Sequence, residues 1–119
     1  QELKEKKVRV PGFGHPFLTE DHRSATLFSL AKDLEIFGEH AAFAANFHTA
    51  LNEVSSKPLP LNIDGAMAAI LLDMGFAPAL MKGFFMIART PGLVAQSYEE
   101  MTHDVGIRRL DESDIEYVG

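Results

Sequence analysis

Apolar and small residues recur at intervals of three and four over most of the chain, which is the period of amphipathic helices. A first helix is predicted from Arg23, with Gly38 as its stop. A second helix follows and should end near Ser55–Ser56. The next residues, 57–61, must be extended, because two prolines restrict their own φ angles and the residues before them. The first half therefore predicts two helices and a short rigid connection.

The same period continues in the second half of the chain. A third helix should begin at Asn62 or Asp64, and a fourth at Pro78, since proline suits the first helical turn. Pro91-Gly92 should interrupt or kink the fourth helix before a fifth segment, Leu93 to His103. The predicted fold class is all-α.

Three other segments lack a helical pattern or show only part of one. Residues 10–21 contain two prolines and two glycines, too closely spaced for a helix, and are predicted to form a loop. Residues 1–9 are expected to be the end of a longer helix. Residues 106–119 are expected to form an extended C-terminal arm.

The composition limits the class of protein. The chain has 119 residues, enough for one ordinary domain, with 46% apolar and 24% charged residues, as in soluble globular proteins. It has no cysteine, so it forms no disulfide or thiolate metal site. Asp73, Lys82 and Arg89 interrupt the longest apolar stretches, so no membrane span is expected. The start lacks both Met and a signal peptide, and we expect a fragment or processed chain of a cytoplasmic protein.

The net charge and the spacing of the histidines indicate which classes of ligand the protein can bind. The formal net charge of −6 argues against nucleic acid, because phosphate backbones bind to basic surfaces. A basic run over residues 4–9 can hold a phosphorylated ligand even on an acidic protein, although a solvated helix end explains it as well. No histidine pair has metal-ligand spacing with acidic support, so no metal is expected.

Four polar residues stand in contexts that suit chemistry. His15 follows a glycine loop, Arg23 and Asp64 stand at predicted helix starts, and Arg89 follows an apolar run. An imidazole can hydrogen-bond a carbonyl oxygen, a carboxylate can take a carbon-bound proton, and guanidinium groups can hold carboxylates bidentately. The set is suited to enolate chemistry on an anionic substrate.

Each of these residues also has a structural explanation. His15 can be an ordinary loop histidine, and Asp64 can cap its helix, although Asn62 can supply that cap and release Asp64. Arg89 can pair with an internal carboxylate. Arg23 is harder to explain, because the helix dipole disfavours a cation at a helix start, so an external anion is expected there.

Taken together, these contexts resemble the citrate synthase family from Val10 to Gly119. The matching segments are Val10-Pro11-Gly12-Phe13-Gly14-His15, Asp21-x-Arg23, Asn62-Ile63-Asp64, Ala88-Arg89-Thr90-Pro91-Gly92 and Tyr117-Val118-Gly119. The resemblance implies that residues of about 10–90 form most of a small domain. It implies that about 91–119 form a returning helix and C-terminal arm of a large domain, in a homodimer.

The resemblance also implies catalytic roles. His15 would hydrogen-bond the carbonyl of oxaloacetate, and Asp64 would take a methyl proton from acetyl-CoA. A second catalytic histidine of the family belongs to a segment upstream of the glycine loop that this chain does not contain. The fragment alone is therefore expected to be inactive.

Further residues are implied in substrate and coenzyme A binding. Arg23, Phe85 and Arg89 would contact the dicarboxylate, and Arg108, or else Arg109, would reach the site of the partner subunit. Coenzyme A would lie on the glycine loop beside one lysine. The residues concerned are Val10, Pro11, Gly12, Phe13, Gly14 and Lys57.

Several functions fit this pattern. The first is condensation of acetyl-CoA with oxaloacetate to give citrate and CoA. The Asp64-Gly65 pair is associated with some bacterial synthases and also with citryl-CoA lyase modules, which cleave citryl-CoA to acetyl-CoA and oxaloacetate. A 2-methylcitrate synthase using propionyl-CoA and a degenerate CoA-binding module are further alternatives. Two departures are that His22 replaces the usual proline before Arg23 and that the spacing from His15 is one residue shorter than is common.

Overall fold

The computed structural model describes residues 9–103 together with 111, 113 and 116. Three predictions fall mostly outside the described residues. They concern the C-terminal arm over 106–119, the helix end at 1–9 apart from Arg9, and the choice between Arg108 and Arg109. The structure therefore tests the central part of the chain.

Helices account for the regular structure of the described residues. They are α1 (His22–Asp33), α2 (Glu39–Val54), α3 (Ile63–Asp73) and α4 (Met81–His103), with a 3₁₀ turn at Pro78–Leu80 before α4. No strand forms within residues 9–103, where one isolated antiparallel bridge joins Phe13 to Leu61. The all-α prediction is confirmed.

The first helix ends earlier than predicted. It stops at Asp33, and Glu35 takes a left-handed φ of 58°. The N–H of Leu34 bonds to the Leu30 carbonyl, and that of Glu35 to the Lys32 carbonyl. These bonds satisfy carbonyls of the last turn, which is how helices with a left-handed residue after them end. Gly38, predicted to be the stop, is instead the N-cap residue of α2.

Asp73, at the end of α3, caps the start of α2. Its carboxylate accepts the backbone N–H groups of Gly38, His40 and Ala41 at 2.8, 2.9 and 3.0 Å, and lies 2.9 Å from Nδ1 of His40. Burial alone would raise the pKa of the Asp73 carboxyl, but the hydrogen bonds from His40, Ala41 and Gly38 outweigh it and lower that pKa. The ionised side chain therefore ties α3 to α2.

Small residues form the centre of the core. α1 and α2 both pack against α3, where Ala31, Ala41, Ala69 and Ile70 are buried. Alanines at these contacts let the helix backbones approach closely, and larger side chains close the edges of the cluster. Those side chains are Leu27, Phe28, Ile36 and Phe37. The three helices thus form one platform. The loop 10–21 and the connection 55–62 lie against it.

Of the interruption or kink predicted at Pro91-Gly92, the interruption is wrong. α4 runs through Pro91 as one helix of 23 residues. Proline cannot donate to the carbonyl of Ile87, four residues earlier, but Ile87 is exposed, so water can satisfy that carbonyl. The Thr90 hydroxyl donates to the Met86 carbonyl at 2.7 Å and satisfies a second backbone group of this turn.

The chain divides into two compact units, Gln1–Gly83 and Phe84–Gly119. The first holds the three-helix platform, and the second holds most of α4. No helix of the described residues is long and apolar enough to cross a membrane.

Candidate functional site

The loop over residues 10–14 is held against the connection that leads into α3. The N–H of Gly14 donates to the Pro60 carbonyl at 2.7 Å, and the N–H of Asn62 donates to the Gly12 carbonyl at 3.0 Å. These bonds flank the bridge between Phe13 and Leu61. Gly12 and Gly14 have φ angles of 83° and 87°, which strongly favour glycine. The glycines therefore allow the loop to lie flat along residues 60–62.

Gly65 lets the loop approach α3 closely. A Cβ atom at Gly65 would lie 2.5 Å from the Gly12 oxygen and 2.9 Å from the Gly12 Cα, distances that side chains do not tolerate. A Cβ atom at Gly12 would in turn lie 2.9 Å from the Gly65 Cα. The backbone of the loop thus rests directly on the first turn of α3.

His15 follows this loop, and the hydrogen bonds of its ring define the tautomer of the neutral side chain. Its Nδ1 accepts the backbone N–H groups of Phe17 at 3.2 Å and Leu18 at 3.0 Å. A ring nitrogen that accepts a hydrogen bond carries no proton, so the neutral ring is protonated on Nε2. The half-buried side chain therefore presents an Nε2–H donor. A carbonyl oxygen is a suitable acceptor for that group.

Asn62 caps α3. Its side-chain oxygen accepts the Gly65 N–H at 3.1 Å, and its side-chain nitrogen donates to the Gly14 carbonyl at 3.0 Å. Asp64, the second residue of α3, is exposed. Because Asn62 supplies the cap, the Asp64 carboxylate is available for a ligand or a proton.

Asp21 joins the start of α1 to the start of α3. Its side chain is fully buried and pairs with Arg23 through Nε and Nη2, both at 2.9 Å. The same carboxylate accepts the backbone N–H groups of Arg23 at 3.2 Å and Ile63 at 2.9 Å. The Arg23 hydrogen bonds lower the pKa of Asp21, against the opposing effect of burial, and the Ile63 N–H lowers it further. One ionised side chain thus holds both helix starts together.

Arg23 already has an internal anion, whereas an external one was expected to explain its place at a helix start. Its hydrogen bonds with Asp21 raise its pKa although burial opposes them, and both the Asp21 and Asp64 carboxylates add to the rise. Asp21 occupies one edge of the guanidinium, while the side chain remains 49% exposed. Arg23 is therefore fixed in orientation and still open to solvent.

These contacts tie the segments that carry three predicted site residues to the start of α3. The residue before His15 bonds to Asn62, and the carboxylate that holds Arg23 bonds to the residue before Asp64. An Nε2–H donor, an oriented guanidinium and an exposed carboxylate are therefore carried by segments that meet where the loop contacts α3. Such a set can bind an anion, polarise a carbonyl and exchange a proton with carbon.

The residues predicted to bind coenzyme A lie in the loop and in the connection, and they differ in how far they are buried. Val10, Phe13 and the two glycines are half-buried, whereas Pro11 and Lys57 are exposed. The backbone of Lys57 is fixed by the Ser55 hydroxyl, which donates to its carbonyl at 2.6 Å. The lysine side chain therefore projects from a rigid backbone.

Phe85 and Arg89 belong to the second unit, within α4. The Arg89 guanidinium carbon lies 5.2 Å from the centre of the Phe85 ring, one helical turn away, which is a cation–π contact. The contact orients the arginine along its own helix. Arg108, and its alternative Arg109, lie outside the described residues.

Sequence reasoning missed two groups that support the junction. Asn52 bonds to both the N–H and the carbonyl of Leu59, at 2.8 and 3.1 Å, and so fixes the connection on α2. The Phe13 ring contacts Phe47 and His48 with ring centres 5.2 and 6.3 Å apart. Nothing in the sequence marks these partners, because they depend on how α2 lies under the loop.

The Asp21-x-Arg23 motif does not by itself predict the role of Asp21. An aspartate immediately before a helix is a recognisable N-cap, and that signal was available. Its bond to Ile63, 42 positions away, was not. Over the part of the chain that the structure describes, no three His, Cys, Asp or Glu residues are grouped as metal ligands would be.

Comparisons with known proteins agree on one family. The model of the citrate synthase C-terminal domain matches residues 1–110. The structure of citryl-CoA lyase from Hydrogenobacter thermophilus aligns with 99% of this chain and 47% of its own, at 45% identity and a TM-score of 0.79. ATP-citrate synthase beta chain protein 1 of Oryza sativa subsp. japonica and beta chain protein 2 of Arabidopsis thaliana are each 25% identical to it, over 82% of this chain. The chain spans 19% of each of those two proteins.

Proposed function

The chain belongs to the citrate synthase family, and on that premise we propose that it supplies part of an active site for citryl-CoA chemistry. The bond concerned joins the methyl carbon of acetyl-CoA to the carbonyl carbon of oxaloacetate. The observation that carries the proposal is the junction of the glycine loop with α3. It ties the residue before His15, and the Asp21 carboxylate that holds Arg23, to the start of α3, which carries Asp64.

We favour the cleavage direction, that of a citryl-CoA lyase. The solved citryl-CoA lyase is 45% identical over 99% of this chain. The Asp64-Gly65 pair is associated with lyase modules and with some bacterial synthases, and the contact of Gly65 with Gly12 is compatible with both directions. The second candidate is synthesis of citrate, because the matching family model is that of citrate synthase.

The residues have the same roles in both directions. In synthesis, the Asp64 carboxylate takes a proton from the acetyl methyl group, and the resulting enolate carbon attacks the oxaloacetate carbonyl. The Nε2–H of His15 donates to the carbonyl oxygen as negative charge develops there, the oxygen takes a proton from water, and hydrolysis of the citryl-CoA thioester releases citrate and CoA. In cleavage, the hydroxyl of citryl-CoA gives its proton to water and becomes the carbonyl as the carbon–carbon bond breaks. The bonding pair forms the enolate, which protonated Asp64 converts to the methyl group.

The arginines would hold the carboxylates. The raised pKa of Arg23 keeps its side chain positively charged. Asp21 fixes one edge of the guanidinium, so the group is oriented before a carboxylate binds. Preorganised donors of this kind bind a planar carboxylate at a lower entropic cost. Phe85 and Arg89 are proposed to contact a substrate carboxylate, and Arg108, or else Arg109, that of a partner subunit in a homodimer.

Coenzyme A would bind along the glycine loop. The resemblance implies binding to the backbone from Val10 to Gly14, and the exposed Lys57 is suited to a phosphate. Acetyl-CoA and propionyl-CoA differ by one methylene in the acyl group, so both belong in the test of substrates.

The protein that contains this chain should be tested with citryl-CoA, and separately with acetyl-CoA or propionyl-CoA plus oxaloacetate. A lyase forms oxaloacetate from citryl-CoA, whereas a synthase releases CoA and citrate or 2-methylcitrate from the paired substrates. Turnover with citryl-CoA alone supports the favoured direction. No turnover with any of these substrates would show that the proposed function is wrong.

A further inference from the structure

Among the described residues, Asn62 is the one whose side chain hydrogen-bonds both to the loop over residues 10–14 and to the first turn of α3. Its oxygen accepts the Gly65 N–H at 3.1 Å, and its nitrogen donates to the Gly14 carbonyl at 3.0 Å. Its backbone N–H also donates to the Gly12 carbonyl at 3.0 Å. Asn62 is therefore bonded on both sides of the junction.

The bond to Gly14 bears directly on His15. The Gly14 carbonyl belongs to the peptide plane that also carries the His15 N–H, so fixing this oxygen fixes that plane. Gly14 has a φ of 87°, where glycine has wide conformational freedom, and a loop residue of this kind does not hold a direction by itself. The orientation of this peptide plane then determines the direction in which the His15 side chain leaves the backbone.

The bond to Gly65 bears on Asp64 in the same way. Asn62 and Gly65 enclose Asp64 in the capped first turn of α3. A cap fixes the backbone of that turn, and with it the direction in which the Asp64 side chain leaves the helix. The cap function and the Gly14 contact use different atoms of the asparagine.

We propose that Asn62 is a positioning residue that sets the distance and angle between the carbonyl-polarising His15 and the proton-transferring Asp64. This inference rests on the proposed function, because it assigns the two groups their chemical roles. Misplacing a reacting group by about 1 Å lowers a rate on the order of a hundredfold, so a single lost contact has a measurable effect.

Asn62→Ser separates the two contacts. Serine is as good an N-cap as asparagine, so the first turn of α3 stays capped, but the shorter side chain does not reach the Gly14 carbonyl. Asn46→Ser is the matched control, since Asn46 is exposed on α2. Both substitutions belong in the full-length protein that contains this chain.

The measurement is the infrared stretching frequency of the ketone carbonyl of bound oxaloacetate, taken alongside kcat in the active direction. In the wild type, the His15 donor should lower this frequency relative to free oxaloacetate. Asn62→Ser should return it towards the free value and lower kcat roughly tenfold or more, while the protein stays folded and Asn46→Ser matches the wild type.

The outcomes are distinguishable. If the wild type lowers the frequency and Asn62→Ser does so equally with unchanged kcat, the positioning role is wrong and the proposed function stands. If the wild type neither lowers the frequency nor turns over any of the substrates, the proposed function itself fails. Should Asn62→Ser not fold, Asn62→Asp carries the same test. It keeps the cap and replaces the donor to Gly14 with a second acceptor.

Discussion

Replacing Gly65 with alanine adds one methyl group at the point where the glycine loop rests on α3. The new Cβ would lie 2.5 Å from the Gly12 oxygen and 2.8 Å from Cδ1 of Leu61. Leu61 can rotate away, but Gly12 is backbone, held by the Asn62 N–H at 3.0 Å. The loop therefore has to move, and the His15 segment moves with it.

The size of the effect follows from two opposing contributions. Forcing an extra methyl group into a closely packed site costs about 1–3 kcal/mol. Alanine is better than glycine within a helix by about 1 kcal/mol, and by less in the first turn, where Gly65 lies. The free energy of unfolding should therefore fall by about 1–2 kcal/mol.

Gly83→Ala is the matched control. Gly83 lies in α4, and among the described residues no atom outside its own helix backbone and its neighbours comes within 4 Å of a Cβ placed there. The same substitution should raise stability by up to about 1 kcal/mol, with the opposite sign to Gly65→Ala. Urea unfolding of the two variants and the wild type measures the difference.

Activity should separate the two variants as well. Gly65→Ala should lower kcat, because it pushes the loop that carries His15 away from the helix that carries Asp64, whereas Gly83→Ala has no contact with that loop among the described residues. If both variants are stabilised, or if Gly65→Ala keeps full activity, the close approach of Gly12 and Gly65 does not hold the site together.

Two further predictions concern stability. The lowered pKa of Asp73 means that its contribution is present above its unfolded pKa of about 4 and is lost as the pH falls through the folded pKa. Asp73→Asn should therefore destabilise the protein by about 2 kcal/mol near neutral pH and flatten the fall in stability on acidification, measured by urea unfolding from neutral to acidic pH. An unchanged pH profile would contradict the cap on α2. Glu35→Gly should stabilise by about 0.5–1 kcal/mol, because the residue has a φ of 58°; a loss of stability in thermal unfolding would show that this strain is absent.

Local signals in the sequence were sufficient for most of the helices. The start and end of α2 and the start of α3 follow from the apolar period and from the prolines between them. The end of α1 was misplaced because a glutamate, not a glycine, takes the left-handed conformation. The break expected at Pro91 did not occur, because an exposed helix turn tolerates one missing backbone donor.

The candidate site is easier to propose in its residues than in its connections. His15, Arg23 and Asp64 are predicted from their contexts and from the family resemblance, and the family itself is supported by the family model. Their connections run through Asp21, Asn52 and Asn62, which each have a partner more distant in the chain, 42, 7 and 48 positions away respectively. Contacts of that kind depend on the packed arrangement of the helices, and no periodicity in the sequence encodes them.

The most direct test of the account is the rate of Asp64→Asn in the full-length protein, with citryl-CoA and with acetyl-CoA plus oxaloacetate. Asparagine has the same shape and keeps the helix, since Asn62 supplies the cap, but it does not take a proton from carbon. The account predicts a loss of at least about a hundredfold in whichever direction the wild type runs, with unfolding unchanged. A rate within about twofold of the wild type would mean that Asp64 moves no proton, and the assignment of this site would be wrong.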